Sequence, residues 1–262
     1  MGFFSKFFGI SSEKASKQSH KHHGWLPDPL PFETDWKEFS VHAKHKSSNR
    51  FRTVKILAKS QDVCEKLAEE QGLLPPYEIS ELPPNAPSER QSSYAKALHI
   101  GFPSDITYNE LSDLIDRKVS NGGDTPQIGL AEFAVAHDMH FSRYIGKNRL
   151  YDLVFSNLRG VDKIAFFIFC IYRWMSDDRN ANLDEHKYKE TFYEFAQELQ
   201  GNSKFIKSME RYSGRNIKFF GTLYVGGYEH EGGSTNTIAF KTVSDYLENK
   251  LGLHRSSSKN IS

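Results

Sequence analysis

Nine consecutive apolar residues, IAFFIFCIY from Ile164 to Tyr172, constrain this chain more than any other feature. Asp162 and Lys163 precede the run and Arg173 follows it. A bilayer span needs about 20 such residues, so this run is too short to cross a membrane. A segment apolar on every side must instead be enclosed by its own protein. The run therefore predicts a buried core helix, and its surroundings supply partners. QIGLAEFAVAHDM follows a Thr125-Pro126 start and is expected to bury Ile128, Ala131 and Val135 on one side. NRLYDLVFSNL stops at Gly160. LDEHKYKETFYEFAQELQ is amphipathic through Tyr188, Phe192 and Phe195 and ends at Gly201. SKFIKSMERYSG and TIAFKTVSDYLENKLG add two more helices. NIKFFGTLYVGGYEHEGGS is ambiguous, because its glycines favour a turn or hairpin and its aromatics favour packing.

The pattern changes upstream. In WKEFSVHAK, Phe39, Val41 and Ala43 alternate with polar residues, and in RFRTVKILA, Val54, Ile56 and Ala58 do the same. With HKSSN between them these predict a β-hairpin. Ser60 starts a helix carrying Val63, Cys64 and Leu67, and Gly72 ends it. PPYEISEL fits a third, edge strand. Further on, Ser88 with Gln91 and Thr107 with Glu110 each have the capping-box spacing. They predict two short helices joined by the extended segment HIGFPSDI. Tyr94, Ala95 and Leu98 should face Leu111, Leu114, Ile115 and Val119, and Gly122-Gly123 should end the second helix. The expected fold is α+β: a small N-terminal β-β-α unit, a helix–extended loop–helix module and a mostly α-helical C-terminal domain. The expected divisions are a tail at 1–35, the β-β-α unit at 36–82, the two-helix module at 87–123, the helical domain at 125–253 and a tail at 254–262.

The stretch SERQSSYAKALHI, a Pro-containing loop and DITYNELSDLID resembles a short module of bacterial and phage proteins, most of them of unknown function. That module has Ser or Thr, Arg or Lys with Gln, Tyr-Ala, Leu-Gly, a Pro loop and Ser-Asp-Leu-Ile, and is similar to the SAP-like helix–extended loop–helix class. This chain departs from it with Leu98-His99 and with Glu110-Leu111-Ser112. The β-β-α unit is its usual neighbour, so the resemblance spans roughly residues 36–120 and leaves the C-terminal half out. It implies a module that binds nucleic acid.

Charge locates the candidate contact. Thirty-four Lys and Arg against 33 Asp and Glu give a net charge of +1, so no global field draws the chain to nucleic acid. Locally, Lys37, Lys44, Lys46, Arg50, Arg52, Lys55 and Lys59 crowd the hairpin, with Glu38 as the acid among them. Lys44, Lys46, Arg50, Arg52 and Lys55 are the candidate phosphate-binding residues, on a two-stranded ribbon of the kind that fits a major groove. The alternative is a solvated lysine face that protects a sheet edge. Arg52 and Lys55 differ in parity and cannot both point the same way. A second candidate surface is the start of the chain, where Phe3, Phe4, Phe7 and Phe8 share a helical face opposite Ser5 and Lys6. It reads either as a docking element for a protein partner or a weak membrane-surface contact, or as a flexible end that packs locally. Gly2 is not a myristoylation signal, because Lys6 stands where Ser or Thr is needed.

Other chemistry is sparse. Cys64 and Cys170 lack metal-ligand spacing and read as buried free thiols of a reducing cytoplasm, with a disulfide as the alternative. No secretory signal is visible. His137 and His140, three apart, could share a metal but lack the Glu of an H-E-x-x-H site, and His186 stands alone. Glu229, His230 and Glu231 offer acid–base groups with nothing to orient them. No P-loop, dinucleotide fingerprint or nucleophile elbow occurs. The sequence thus points to a cytoplasmic, non-enzymatic binding protein with no catalytic residue, metal or cofactor. Its expected partner is DNA or RNA, and the alternative is a protein–protein or membrane-surface adaptor.

Overall fold

The computed structural model describes residues 24–32, 36–119 and 125–253, apart from residues 179, 219, 221, 226–227 and 232. The fold is α+β, with a small antiparallel sheet near the N-terminus followed by mostly helical structure. Strands β1 (Lys37–His45) and β2 (Phe51–Ala58) form the hairpin, and β3 (Leu73–Glu81) returns along the other side of β1. Helix α1 (Gln61–Glu70) lies between β2 and β3 in the chain, and Ser60 Oγ accepts from Val63 N at its start. Phe39, Val41, Ala43, Ile56 and Ala58 from the sheet meet Cys64 and Ala68 from α1 in a small core. Gly72 turns the chain from α1 into β3 with φ +78°, a region where a side chain is strained.

Helices α2 (Glu89–Ala97) and α3 (Tyr108–Val119) follow. The second capping box is complete. Glu110 N donates to Thr107 Oγ1 (3.3 Å), and Thr107 N donates back to Glu110 Oε2 (2.8 Å). The first is half made. Gln91 N donates to Ser88 Oγ, but the Gln91 side chain turns away and donates to Tyr108 O and Ser112 Oγ (2.9 and 2.8 Å). It thereby ties α2 to α3. Ala95, Leu111 and Leu114 are buried, whereas Tyr94 and Val119, expected on the inner faces, are exposed. The proposed end of α3 at Gly122-Gly123 lies outside the described residues.

The remaining helices are α4 (Ile128–Ala136), α5 (Lys147–Asn157), α6 (Gly160–Ser176), α7 (Lys189–Gln200), α8 (Ser203–Met209), α9 (Gly214–Ile217) and α10 (Ile238–Leu251). The ambiguous glycine-rich segment contains a hairpin of β4 (Thr222–Val225) and β5 (Tyr228–Glu231). As its apolar run requires, α6 is buried from Ile164 to Arg173. No described helix is long and apolar enough to cross a membrane. Helix α4 buries Ala131 as expected, together with Leu130, Phe133 and Ala134, but exposes Ile128 and Val135. The segment is so uniformly apolar that periodicity alone could not choose.

Residues 24–32, expected to belong to a tail, form an extended strap. Trp25 N donates to His99 O and Gly101 N to Trp25 O (2.8 and 2.9 Å), fastening the strap beside α2. Leu30 N donates to Arg143 O, Leu30 is buried in the helical core, and Phe32 meets Phe141 edge-on. Prolines 27, 29 and 31 favour an extended strap and carry no N–H that would need an acceptor.

Candidate nucleic-acid interface

Strand register decides which way each basic side chain points, because residues opposed in an antiparallel pair share a face. Phe39 opposes Ile56 and Val41 opposes Val54, and all four face α1. The other face therefore carries four rows across β1 and β2: Lys44 with Phe51, His42 with Thr53, Ser40 with Lys55, and Glu38 with Leu57. β3 extends three of them, with Leu74 beside Lys44, Glu78 beside His42 and Ser80 beside Ser40. The row nearest the hairpin turn is thus aromatic, basic and apolar, and the acids lie further along the sheet.

This register settles the parity question. Lys55 points to the open face. Arg52 opposes Ala43 and sits on the α1 side, where its Nη2 donates to Ser48 Oγ (3.3 Å). Lys46 and Arg50 are exposed in the turn. The turn is braced from below, because Lys46 N donates to Gly72 O (2.8 Å) just past the end of α1.

The basic residues are not as unopposed as their spacing in sequence implies. Lys37 pairs with Glu81 (2.9 Å), Lys55 with Glu38 (3.0 Å) and Lys59 with Asp138. Two of these partners come from distant parts of the chain. Among the described residues no acidic side chain pairs with Lys44, Lys46, Arg50 or Arg52. The unpaired positive charge is therefore concentrated at the tip of the hairpin, and Lys55 is paired with Glu38.

Phe51 is the functional candidate that the charge count passes over. It is 64% exposed. Its ring stacks on His42 at 5.5 Å between centroids and 13° between planes, and His42 Nδ1 lies 2.9 Å from Thr53 Oγ1. The sequence did hold a signal for it. Val54, Ile56 and Ala58 set the inward parity of β2, and Phe51 is an aromatic on the outward parity.

The other candidates do not assemble. Phe3, Phe4, Phe7 and Phe8 lie outside the described residues. His137 Nε2 lies 3.1 Å from Asp184 Oδ2, while His140 packs edge-on against Trp36 at 5.6 Å. Both histidines line a cleft of about 530 Å³ with Asp138, Arg159 and Asp162. They are nevertheless drawn to different partners, and burial holds His140 below the usual imidazole range. Among the described residues no group of three or more His, Cys, Asp or Glu could hold a metal ion. His186 sits among the rings of Phe169, Tyr172, Tyr188 and Phe192. The side chains of Glu229, His230 and Glu231 lie outside the described residues. Cys64 and Cys170 are both free and buried, and burial pushes the Cys170 thiol up to about 12, so it is no nucleophile at neutral pH.

Compared with known protein families, with curated proteins and with solved structures, the chain matches none.

Proposed function

We propose that this protein binds nucleic acid through the tip of its N-terminal sheet, with Lys44, Lys46, Arg50 and Arg52 contacting backbone phosphates. One observation carries the reading: among the described residues these four cations have no acidic partner, while the other three of the same hairpin are paired. Two buried free thiols support a reducing, cytoplasmic setting.

Binding should weaken steeply with salt. Each phosphate contact contributes roughly 0.7–0.9 to the log–log slope, so four contacts predict a slope of about −3. Changing Lys44, Lys46, Arg50 and Arg52 together to Gln should flatten that slope towards zero. Lys55→Gln should leave it nearly unchanged, because Glu38 already holds Lys55. Fluorescence anisotropy against labelled oligonucleotides across a salt series measures both. Absence of binding to any nucleic acid at low salt, or an unchanged slope in the fourfold variant, would overturn the assignment.

A further inference from the structure

We infer that Phe51 is a stacking platform for an unpaired nucleobase, so that the ligand is single-stranded rather than duplex nucleic acid. This rests on the phosphate-binding reading above and goes one step further, to the substrate class.

The first ground is the state of the ring. A phenylalanine 64% exposed in a strand is unfavourable by itself, since an aromatic ring is among the most strongly buried side chains when packing allows. Here one side of the ring is backed by His42, nearly parallel at 13°. The imidazole is in turn held by Thr53 Oγ1 at 2.9 Å. The ring is therefore braced in one orientation with its opposite side towards solvent. Every base has a π-face, so a braced ring accepts an unstacked base without sequence preference. A base inside a duplex has both faces occupied by its neighbours and cannot use it.

The second ground is what surrounds the ring. Lys44 lies directly across from Phe51 in the pairing register, and Lys46 and Arg50 are exposed in the adjoining turn. A base resting on Phe51 would have its own phosphates next to these cations. Leu74, on the far side of Lys44 and 38% exposed, extends the apolar floor by one strand.

The third ground removes the duplex alternative. A major groove about 12 Å wide admits a two-stranded ribbon. This hairpin is not a free ribbon. β3 runs beside β1 to the tip, where Lys44 opposes Leu74 and His45 opposes Leu73. α1 adds a layer about 10 Å thick against one face. Three strands and a helix do not enter the groove that two strands would fit.

The test uses the full chain and two labelled probes at one salt concentration: an oligothymidylate of about 12 nucleotides, within the usual site size of such surfaces, and a duplex of equal length. Single strand should bind at least tenfold more tightly. Phe51→Ala should weaken single-strand binding about tenfold, in line with the usual value of a stacked base, and leave the salt slope unaltered. Phe51→Trp should restore affinity, and its fluorescence should be quenched when the oligothymidylate binds. Phe51 is exposed, so these variants should fold, and their melting curves check that. Equal affinity for duplex, or wild-type affinity in Phe51→Ala, overturns the stacking site. If the fourfold basic variant still flattens the slope in that case, the phosphate reading survives alone. If wild-type protein binds neither probe at low salt, both fall together.

Discussion

In the helical body, α6 is enclosed on every side: Phe166, Phe167, Phe205, Phe220 and Phe240 are fully buried around it or on it. In the sheet unit α1 covers one face, and much of that contact is between small side chains, with Ala43 and Ala58 of the strands and Cys64 and Ala68 of α1 all fully buried. Small side chains let α1 lie close to the strands, but they remove little apolar area from water. The body gains its stability from bulk, and its surface is left over. The sheet unit has less to gain, and it leaves a whole face and a hairpin tip free. The module of α2 and α3 lies between these extremes. Its apolar core is small, yet Ser142 donates to the buried Asp113 (2.6 Å), Arg149 pairs with the same carboxylate, and Arg143 reaches Glu110 (2.7 Å). Polar ties to the body supply what its packing does not. The difference teaches where a ligand can be met: on the part whose face the fold has not used.

The largest effect should come from breaking the body. Phe167 meets Phe205, Tyr212 and Phe220 edge-on at 6.2, 5.1 and 5.8 Å. Phe167→Ala should cost about 3–5 kcal/mol, which is a large part of a domain's stability. Ile56→Ala in the sheet core should cost about 2–4 kcal/mol but act locally. Among the described residues, Trp36 against His140 and Lys59 against Asp138 join the sheet unit to the body, and neither is an extended apolar contact that would transmit a loss. Hydrogen exchange should therefore accelerate in β1 and β2 of Ile56→Ala and stay slow in α6. Acceleration in both would show that the two regions unfold as one and would break the comparison.

Much of this division was legible in the sequence. The α6 run could only be a core helix, and the alternation in β1 and β2 gave the correct inward residues. Legibility failed where a residue's meaning depends on a distant partner. Glu81 and Asp138 pair with Lys37 and Lys59 from 44 and 79 residues away. Trp25 and Leu30 look like tail residues until His99, Gly101 and Arg143 are beside them. The Gln91 side chain fits a capping box by spacing, and only the approach of α3 draws it elsewhere. For the proposed interface, the basic residues are visible in the sequence, but which of them lack an acidic partner is not. The outward parity of Phe51 was readable and is the signal that a count of charges misses.

Acid sharpens the contrast by acting on the body. His186 has a side chain 7% exposed, its Nδ1 accepts from Tyr188 N (3.2 Å), and burial holds it below the ordinary imidazole range. Lys187 adds to that effect and Asp178 opposes it. As pH falls through about 6.5 the unfolded chain takes up a proton that the folded chain resists. Stability is thus fully present above that pH and declines below it, by up to about 1.4 kcal/mol per pH unit, until the folded-state value is passed. His186→Asn, which can keep an acceptor for Tyr188 N, should make the loss between pH 7 and pH 5.5 shallower in urea melts. An unchanged slope would mean that His140 or another group carries the acid sensitivity.

The smallest expected effect probes the polar-tied module. Ser88→Ala removes one acceptor, for Gln91 N at 3.2 Å, and should cost about 1 kcal/mol or less. Thr107→Ala should cost more, about 1–2 kcal/mol, because it also removes the Oγ1 hydrogen bond to Glu110 Oε2, on the carboxylate whose Oε1 receives Arg143 Nε. A loss of 1 kcal/mol corresponds to roughly fivefold faster exchange of the amides it protects. In the full chain, Ser88→Ala should therefore speed exchange in α2 several-fold and Thr107→Ala should speed it further in α3. Gln91 spans both helices through Tyr108 O and Ser112 Oγ, so the double variant should lose more than the sum of the two. Simple additivity would show that the Gln91 bridge does not couple the caps. No change in exchange for either variant would mean that the strap and the body alone hold these helices, and that their polar ends contribute nothing.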